Sequence, residues 1–136
     1  MSEYELISLL REHVSFMITI LQWWAGLTLG ILIAVQVMGN KLNGYIASFL
    51  IALHTAFTLM VMQVENRHSE RIEVMITDLR NLHDQGMPMS ETSMLFLNEG
   101  GPSAWVILLG LICFWGFYLS TIAYVIYCYR IAKQAE

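Results

Sequence analysis

The sequence predicts an all-α integral membrane protein with three transmembrane helices, and three observations carry that reading. Hydrophobic residues make up 57% of the 136-residue chain and charged residues only 13%, which with a mean hydropathy of +0.57 exceeds what a soluble domain tolerates. Three stretches are apolar and long enough to cross a hydrocarbon core of about 30 Å. Connections that are either rich in turn formers or charged separate them.

The first element is an N-terminal amphipathic helix over 1–15. Ser2 followed by Glu5 reads as a capping box, and Leu6, Leu9, Leu10 and His13 recur at helical spacing. The chain carries no charge from Val14 to Met38, a length of about 37 Å as a helix, so the first span is placed at 16–38. The turn 39–44, Gly-Asn-Lys-Leu-Asn-Gly, is short enough to force helices 1 and 2 into a tight antiparallel hairpin. The second span, 45–64, reaches about 30 Å. Helix 2 is expected to continue beyond the membrane as an amphipathic rod over 65–86, because Ile72, Met75, Leu79 and Leu82 recur at spacings of three and four until Gly86 and Pro88 stop it. The loop 87–103 contains the apolar run Met94–Leu97, suited to resting on headgroups, before Gly100, Gly101 and Pro102 redirect the chain. Pro102 suits the first turn of the third span, 104–128, which leaves a tail over 129–136. The whole forms a single membrane domain.

Charge excludes one class of partner. A formal charge of −4 with seven scattered Lys and Arg offers no basic patch for nucleic acid. Cys113 and Cys128 lie about 22 Å apart on one helix, too far to bridge. The acidic N-terminus lacks the basic start of a cleaved leader. The N-terminus and the long loop together hold four basic and ten acidic residues, against three and one on the other side. The basic turn and tail place the N-terminus out and the C-terminus in, and the expected location is a plasma or inner membrane rather than an organellar one.

The strongest pattern concerns packing. Gly26, Gly30 and Ala34 recur every four residues on helix 1, and Ser48, Ala52 and Ala56 do so on helix 2. Such rows let helix backbones approach closely. A turn centred near Lys41 pairs residues whose numbers sum to about 82, so the two rows are expected to meet level for level. The competing use of the helix 1 row is a homodimer seam. On the third helix, Gly116 and Ser120 form a weaker row. In the same register Leu10 lies near Ile72 and Leu6 near Ile76, with Met75, Leu79 and Leu82 expected to outreach their partner.

Few residues invite chemistry. His54 lies near the middle of the second span, where an ionisable group raises a functional question. Thr28, Trp115 and Tyr118 are its expected neighbours by depth, and the ordinary explanation is a neutral imidazole hydrogen-bonded to a hydroxyl. It is also the one candidate cofactor ligand, although a bis-histidine haem would need His54 from two subunits face to face. Glu65 and His68 form a Glu-x-x-His pair of the kind that carboxylate metal bundles use, and hairpin register brings Glu12 and His13 near that level. These four are the candidate metal ligands, set against a solvated charge cluster. His83 suits a helix-dipole contact, and Met87, Met89 and Met94 suit apolar filling. Ser120 and His54 could pair as in an intramembrane protease, but three helices enclose little water. No catalytic set and no cofactor are expected.

The expected function is therefore non-enzymatic: an accessory subunit of a larger complex or a self-assembling helical bundle. Its partners are the lipid bilayer and either further copies of the chain or other membrane-protein subunits. One alternative is a homo-oligomeric channel lined by Gln22, Gln36, Thr28 and Ser120. Its three spans with N-out, C-in topology are similar to those of phage holins, whose short loops and strongly basic tail this chain lacks. The other alternative is a metal- or haem-binding membrane protein.

Overall fold

The computed structural model describes residues 2–99 and 104–134. Those residues form four helices and no strand: α1 (Glu3–Met38), α2 (Gly44–Asp84), α3 (Glu91–Glu99) and α4 (Ala104–Gln134), with a 3₁₀ turn at Gly39–Lys41. Three of them, α1, α2 and α4, are long and apolar enough to cross a membrane. The turn at Gly100, Gly101 and Pro102 lies outside the described residues.

The helix ends follow local chemistry. The Ser2 hydroxyl accepts from the Glu5 backbone N–H and the Glu5 carboxylate accepts from Ser2 N–H, so the expected capping box is formed. Asn43 caps α2 by accepting from Ile46 N–H. Gly86, at φ 77°, supplies the left-handed residue just past the end of α2. Gly44 answers a different need: a Cβ there would lie 3.2 Å from the Tyr129 hydroxyl, so glycine lets the end of α4 close over the start of α2.

Two contacts fix which residues of α1 and α2 meet. Trp24 meets Thr58 and His13 meets His68, pairs whose numbers sum to 82 and 81. The faces are not the expected ones. Open space lies where a Cβ would stand on Gly26 or Gly30, Ser48, Ala52 and Ala56 are exposed, and Ala34 is half-buried. The seam runs instead through Leu6, Leu10, Ile20, Trp24, Thr28, Ile31 and Val35 of α1 and Ala47, Leu50, His54, Thr58 and Val61 of α2. Two positions along a helix turn it by about 200°, so a seam on Trp24 and Thr28 necessarily swings Gly26 and Gly30 outward. Gly116 and Ser120 are exposed too. Large side chains won the interior because they interdigitate and cover more surface than a row of glycines.

Helix α4 joins this pair over only part of its length. From Phe114 onward its residues Tyr118, Thr121, Val125, Cys128 and Ala132 are buried or half-buried, whereas Trp105–Cys113 are exposed. Two apolar clusters result, one of Ile31, Val35, Leu42, Ala47, Leu50, Val125 and Ala132 near the turn, the other of Ile20, Trp24 and Val61.

Beyond the apolar segments the rod is covered rather than bare. Leu79 is 1% exposed, with Met75 and Leu82 half-buried. The segment expected to rest on headgroups is α3, which packs against α2. Ser90 begins it: its hydroxyl accepts from Ser93 N–H and its carbonyl from Met94 N–H. Glu3 ties it to α1, because one carboxylate oxygen accepts from Ser90 N–H at 2.9 Å, from the Ser90 hydroxyl at 2.7 Å and from the buried Ser93 hydroxyl.

Candidate functional site

Several polar groups of the interior lie along one face of α2. His54, Thr58, Val61, Glu65 and His68 follow at steps of four, three, four and three, the spacing of one helix face turned to a partner. Two sites arise on it.

The upper site surrounds His54, which is 1% exposed. Its ring lies 6.1 Å from that of Trp24 and 5.3 Å from that of Tyr118, between centroids. Neither ring nitrogen has a hydrogen-bond partner, so the hydroxyl-bonded imidazole expected from the sequence is not formed. The hydroxyls of Thr28, Thr55 and Tyr118 and the Trp24 indole N–H donate elsewhere. Thr28 donates its hydroxyl to the Trp24 carbonyl, and Trp24 donates its indole N–H to the Thr58 hydroxyl at 2.9 Å. Thr55 donates its one hydrogen to the Ile51 carbonyl, so the Tyr118 hydroxyl donates to Thr55. Of the expected neighbours, Tyr118 is in contact, Trp115 lies behind it at 5.7 Å between ring centroids, and Thr28 turns its hydroxyl to its own helix.

Two of the alternatives raised by the sequence bear on this ring. A ring enclosed by its own bundle cannot meet the His54 of a second copy, so the shared haem would require the bundle to open. Ser120 is exposed beside Gln36, Thr121 and Tyr124, so it makes no pair with His54. Thr28 is 3% exposed.

The lower site brings together two of the four candidate metal ligands, His13 and His68. The His13 and His68 rings stand edge to face with centroids 4.9 Å apart, and Phe16 covers His68 at 4.7 Å. Glu65 lies one turn before His68 on the same face. Each of the three has a buried polar atom without a partner: His13 Nε2, Glu65 Oε1 and His68 Nδ1. Glu12 is exposed. Burial, followed by the charges of His13 and Arg71, pushes the His68 pKa below the ordinary imidazole value, and burial raises that of Glu65. No group of three imidazole, carboxylate or thiol side chains among the described residues is arranged to hold a metal ion as it stands.

Sequence reasoning missed the partnership of Trp24 with Thr58 and the anchoring of α3 by Glu3. The first was legible in principle, because the summing rule pairs those numbers. The second depends on a chain reversal that no local signal encodes. Compared with known protein families, with curated proteins and with solved structures, the chain finds no match.

Proposed function

We propose that this chain is a non-enzymatic three-span membrane protein that acts by assembling with further membrane helices, as a self-assembling bundle or as an accessory subunit. On this reading α1 and α2 insert as an antiparallel hairpin and α4 crosses as the third span. The N-terminus lies outside and the C-terminus inside a plasma or inner membrane, an orientation that a C-terminal reporter active only outside the cytoplasm would reverse.

One observation carries the proposal. Ser15, Thr19, Gln22, Gly26 and Gly30 follow at steps of four, three, four and four on the side of α1 turned away from the chain's own seam, and all but the half-buried Thr19 are exposed. Ser15, Thr19 and Gln22 line a shallow groove there. Against acyl chains a glutamine amide leaves its donors and acceptor unmet, and glycines forfeit dispersion contact. Against another helix the same row allows close approach, with the amide available to both donate and accept. The row that fails to join α1 to α2 thus suits joining α1 to a different chain.

The test is oxidative cross-linking in native membranes. Gly26→Cys and Ser15→Cys, each with Cys113 and Cys128 replaced by Ser, are expected to give a disulfide-linked dimer or a linked complex with a second protein. Monomer alone from both variants overturns the reading. A pore is the second reading, favoured by the groove in which Gln36, Ser120, Thr121 and Tyr124 gather within the apolar segments. It calls for ion flux in proteoliposomes, which a closed assembly does not give.

A further inference from the structure

We infer that the groove between α1 and α4, at the 3₁₀-turn end of the molecule, binds one anionic glycerophospholipid. The inference rests on the reading that α1, α2 and α4 cross the membrane, and it needs no assembly of copies.

The groove is the first support. Leu32 and Gln36 of α1 face Phe117, Ser120, Thr121 and Tyr124 of α4 across an open space of about 420 Å³, a volume in the range of small-molecule sites. Leu32 and Phe117 suit an acyl chain. Thr121 is buried and donates its hydroxyl to the Phe117 carbonyl, and Tyr124 is half-buried, which leaves the Gln36 amide and the Ser120 hydroxyl as the exposed polar groups. Acyl chains alone would leave the amide donors unmet, whereas the ester carbonyls of a glycerolipid accept from them.

The second support is positive charge gathered by the tertiary structure. The 3₁₀ turn packs on α4, and Leu42, just past that turn, shares a buried cluster with Ala132. This packing brings Lys41, which precedes Leu42, to the end of α4 that carries Arg130 and Lys133 on either side of Ala132. All three basic residues are exposed. No Asp or Glu occurs between Glu12 and Glu65 or between Glu99 and Glu136, so no carboxylate on these stretches of chain offsets them. Basic residues at the ends of membrane helices attract anionic headgroups.

Depth connects the two features. Gln36 precedes Lys41 by five residues and Tyr124 precedes Arg130 by six, which along a helix are rises of about 7 Å and 9 Å. The polar layer on each side of a bilayer is about 5–8 Å deep. With Lys41 and Arg130 at the phosphates, Gln36 lies at the inner edge of that layer, where the ester carbonyls are, and Leu32 and Phe117 lie among the upper acyl carbons. One lipid thus meets charge, amide and apolar wall in the order in which its own parts run.

Purified protein in mild detergent is titrated separately with phosphatidylglycerol and with phosphatidylcholine of the same acyl chains, and retained lipid is counted by native mass spectrometry. One phosphatidylglycerol per chain is expected to be held in preference to phosphatidylcholine. Lys41→Gln and Arg130→Gln are each expected to weaken its binding about 5-fold. Gln36→Leu, which removes the amide, and Ser120→Leu, which fills the groove, are each expected to weaken it as well, and Arg67→Gln/Arg80→Gln to leave it unchanged. Every replaced residue is exposed, so helicity by circular dichroism is expected to persist. Equal retention of the two lipids overturns the proposal, and so does a Gln36→Leu/Ser120→Leu protein that holds phosphatidylglycerol like wild type. Displacement of the lipid by excess glycerol phosphate also overturns it, because a site for phosphate alone has no use for the groove. Alkaline extraction from phosphatidylglycerol vesicles separates this failure from that of the three-span reading. A chain that stays with the vesicles and shows no lipid preference loses only the lipid site, whereas a chain released by alkali loses both.

Discussion

Trp24 and His54 show how the same interior can satisfy one polar group and leave another unmet. The Trp24 N–H finds the Thr58 hydroxyl, a bond worth about 1 kcal/mol between helices in an apolar setting. Thr58→Val keeps the shape and orphans that N–H, so unfolding in detergent followed by Trp fluorescence is expected to show a loss of about 1 kcal/mol. His54 has no such bond to lose. Replacing an unpaired polar ring by an apolar side chain removes a desolvation cost, so His54→Leu is expected to raise the melting temperature measured by scanning fluorimetry. A lowered melting temperature would show that the imidazole makes an interaction beyond its ring contacts with Trp24 and Tyr118.

The elements differ in how they are held. α1 and α2 are long helices whose ends are set by neighbouring residues, whereas α3, nine residues long, is too short to persist alone and depends on α2 and on Glu3. The Ser90 hydroxyl, the Ser93 hydroxyl and the Ser90 N–H, in that order, hold the Glu3 carboxyl below the usual carboxylate pKa. Because the docked state favours the ionised form, its contribution is fully present above the ordinary carboxylate value and is lost as pH falls through the lowered one. The hydrogen-exchange protection of residues 90–99, taken relative to the intrinsic rate at each pH, is therefore expected to fall in acid. Glu3→Gln, which cannot accept from the three donors as a charged group does, is expected to lower that protection at neutral pH and to flatten its acid dependence. Unchanged exchange in that variant would mean that packing on α2 alone holds α3.

At the scale of the whole molecule, the outward row on α1 separates folding from assembly. A Cβ on Gly26 meets nothing within 4 Å, so a larger side chain there fits the isolated chain, and replacing glycine in a helix interior gains about 0.5–1 kcal/mol in backbone entropy. Gly26→Leu is expected to leave the monomer's helicity and melting unchanged or improved while lowering its mass in native membranes or mild detergent. A fall in monomer stability would place Gly26 in the fold rather than in an interface.

Much of the fold was legible because its determinants are local. The Ser2–Glu5 capping box, the six-residue turn, the continuation of α2 to Asp84 and its stop at Gly86 each depend on residues a few positions apart. Turn position also set the register, so His13 could be placed opposite His68 before any coordinates. Which face turned inward was not legible from Gly26, Gly30, Ser48, Ala52 and Ala56. In an apolar helix the interior and the lipid-facing side carry similar residues, so hydrophobicity gives no contrast, and small-residue rows serve contacts within a chain and between chains alike. The better guide was Thr28, His54 and Thr58, since polar groups in apolar helices turn toward protein.

The sequence by itself determined that three long apolar helices form and where the first two end, because capping and turn chemistry act over a few residues, whereas the third, placed at 104–128, continues to Gln134. Only the tertiary structure decided that Trp24 donates to Thr58 while His54 goes without a partner, that the glycines face outward, and that α3 returns to Glu3. Those outcomes follow from competition among whole faces for the same interior, and no single stretch of chain contains both competitors.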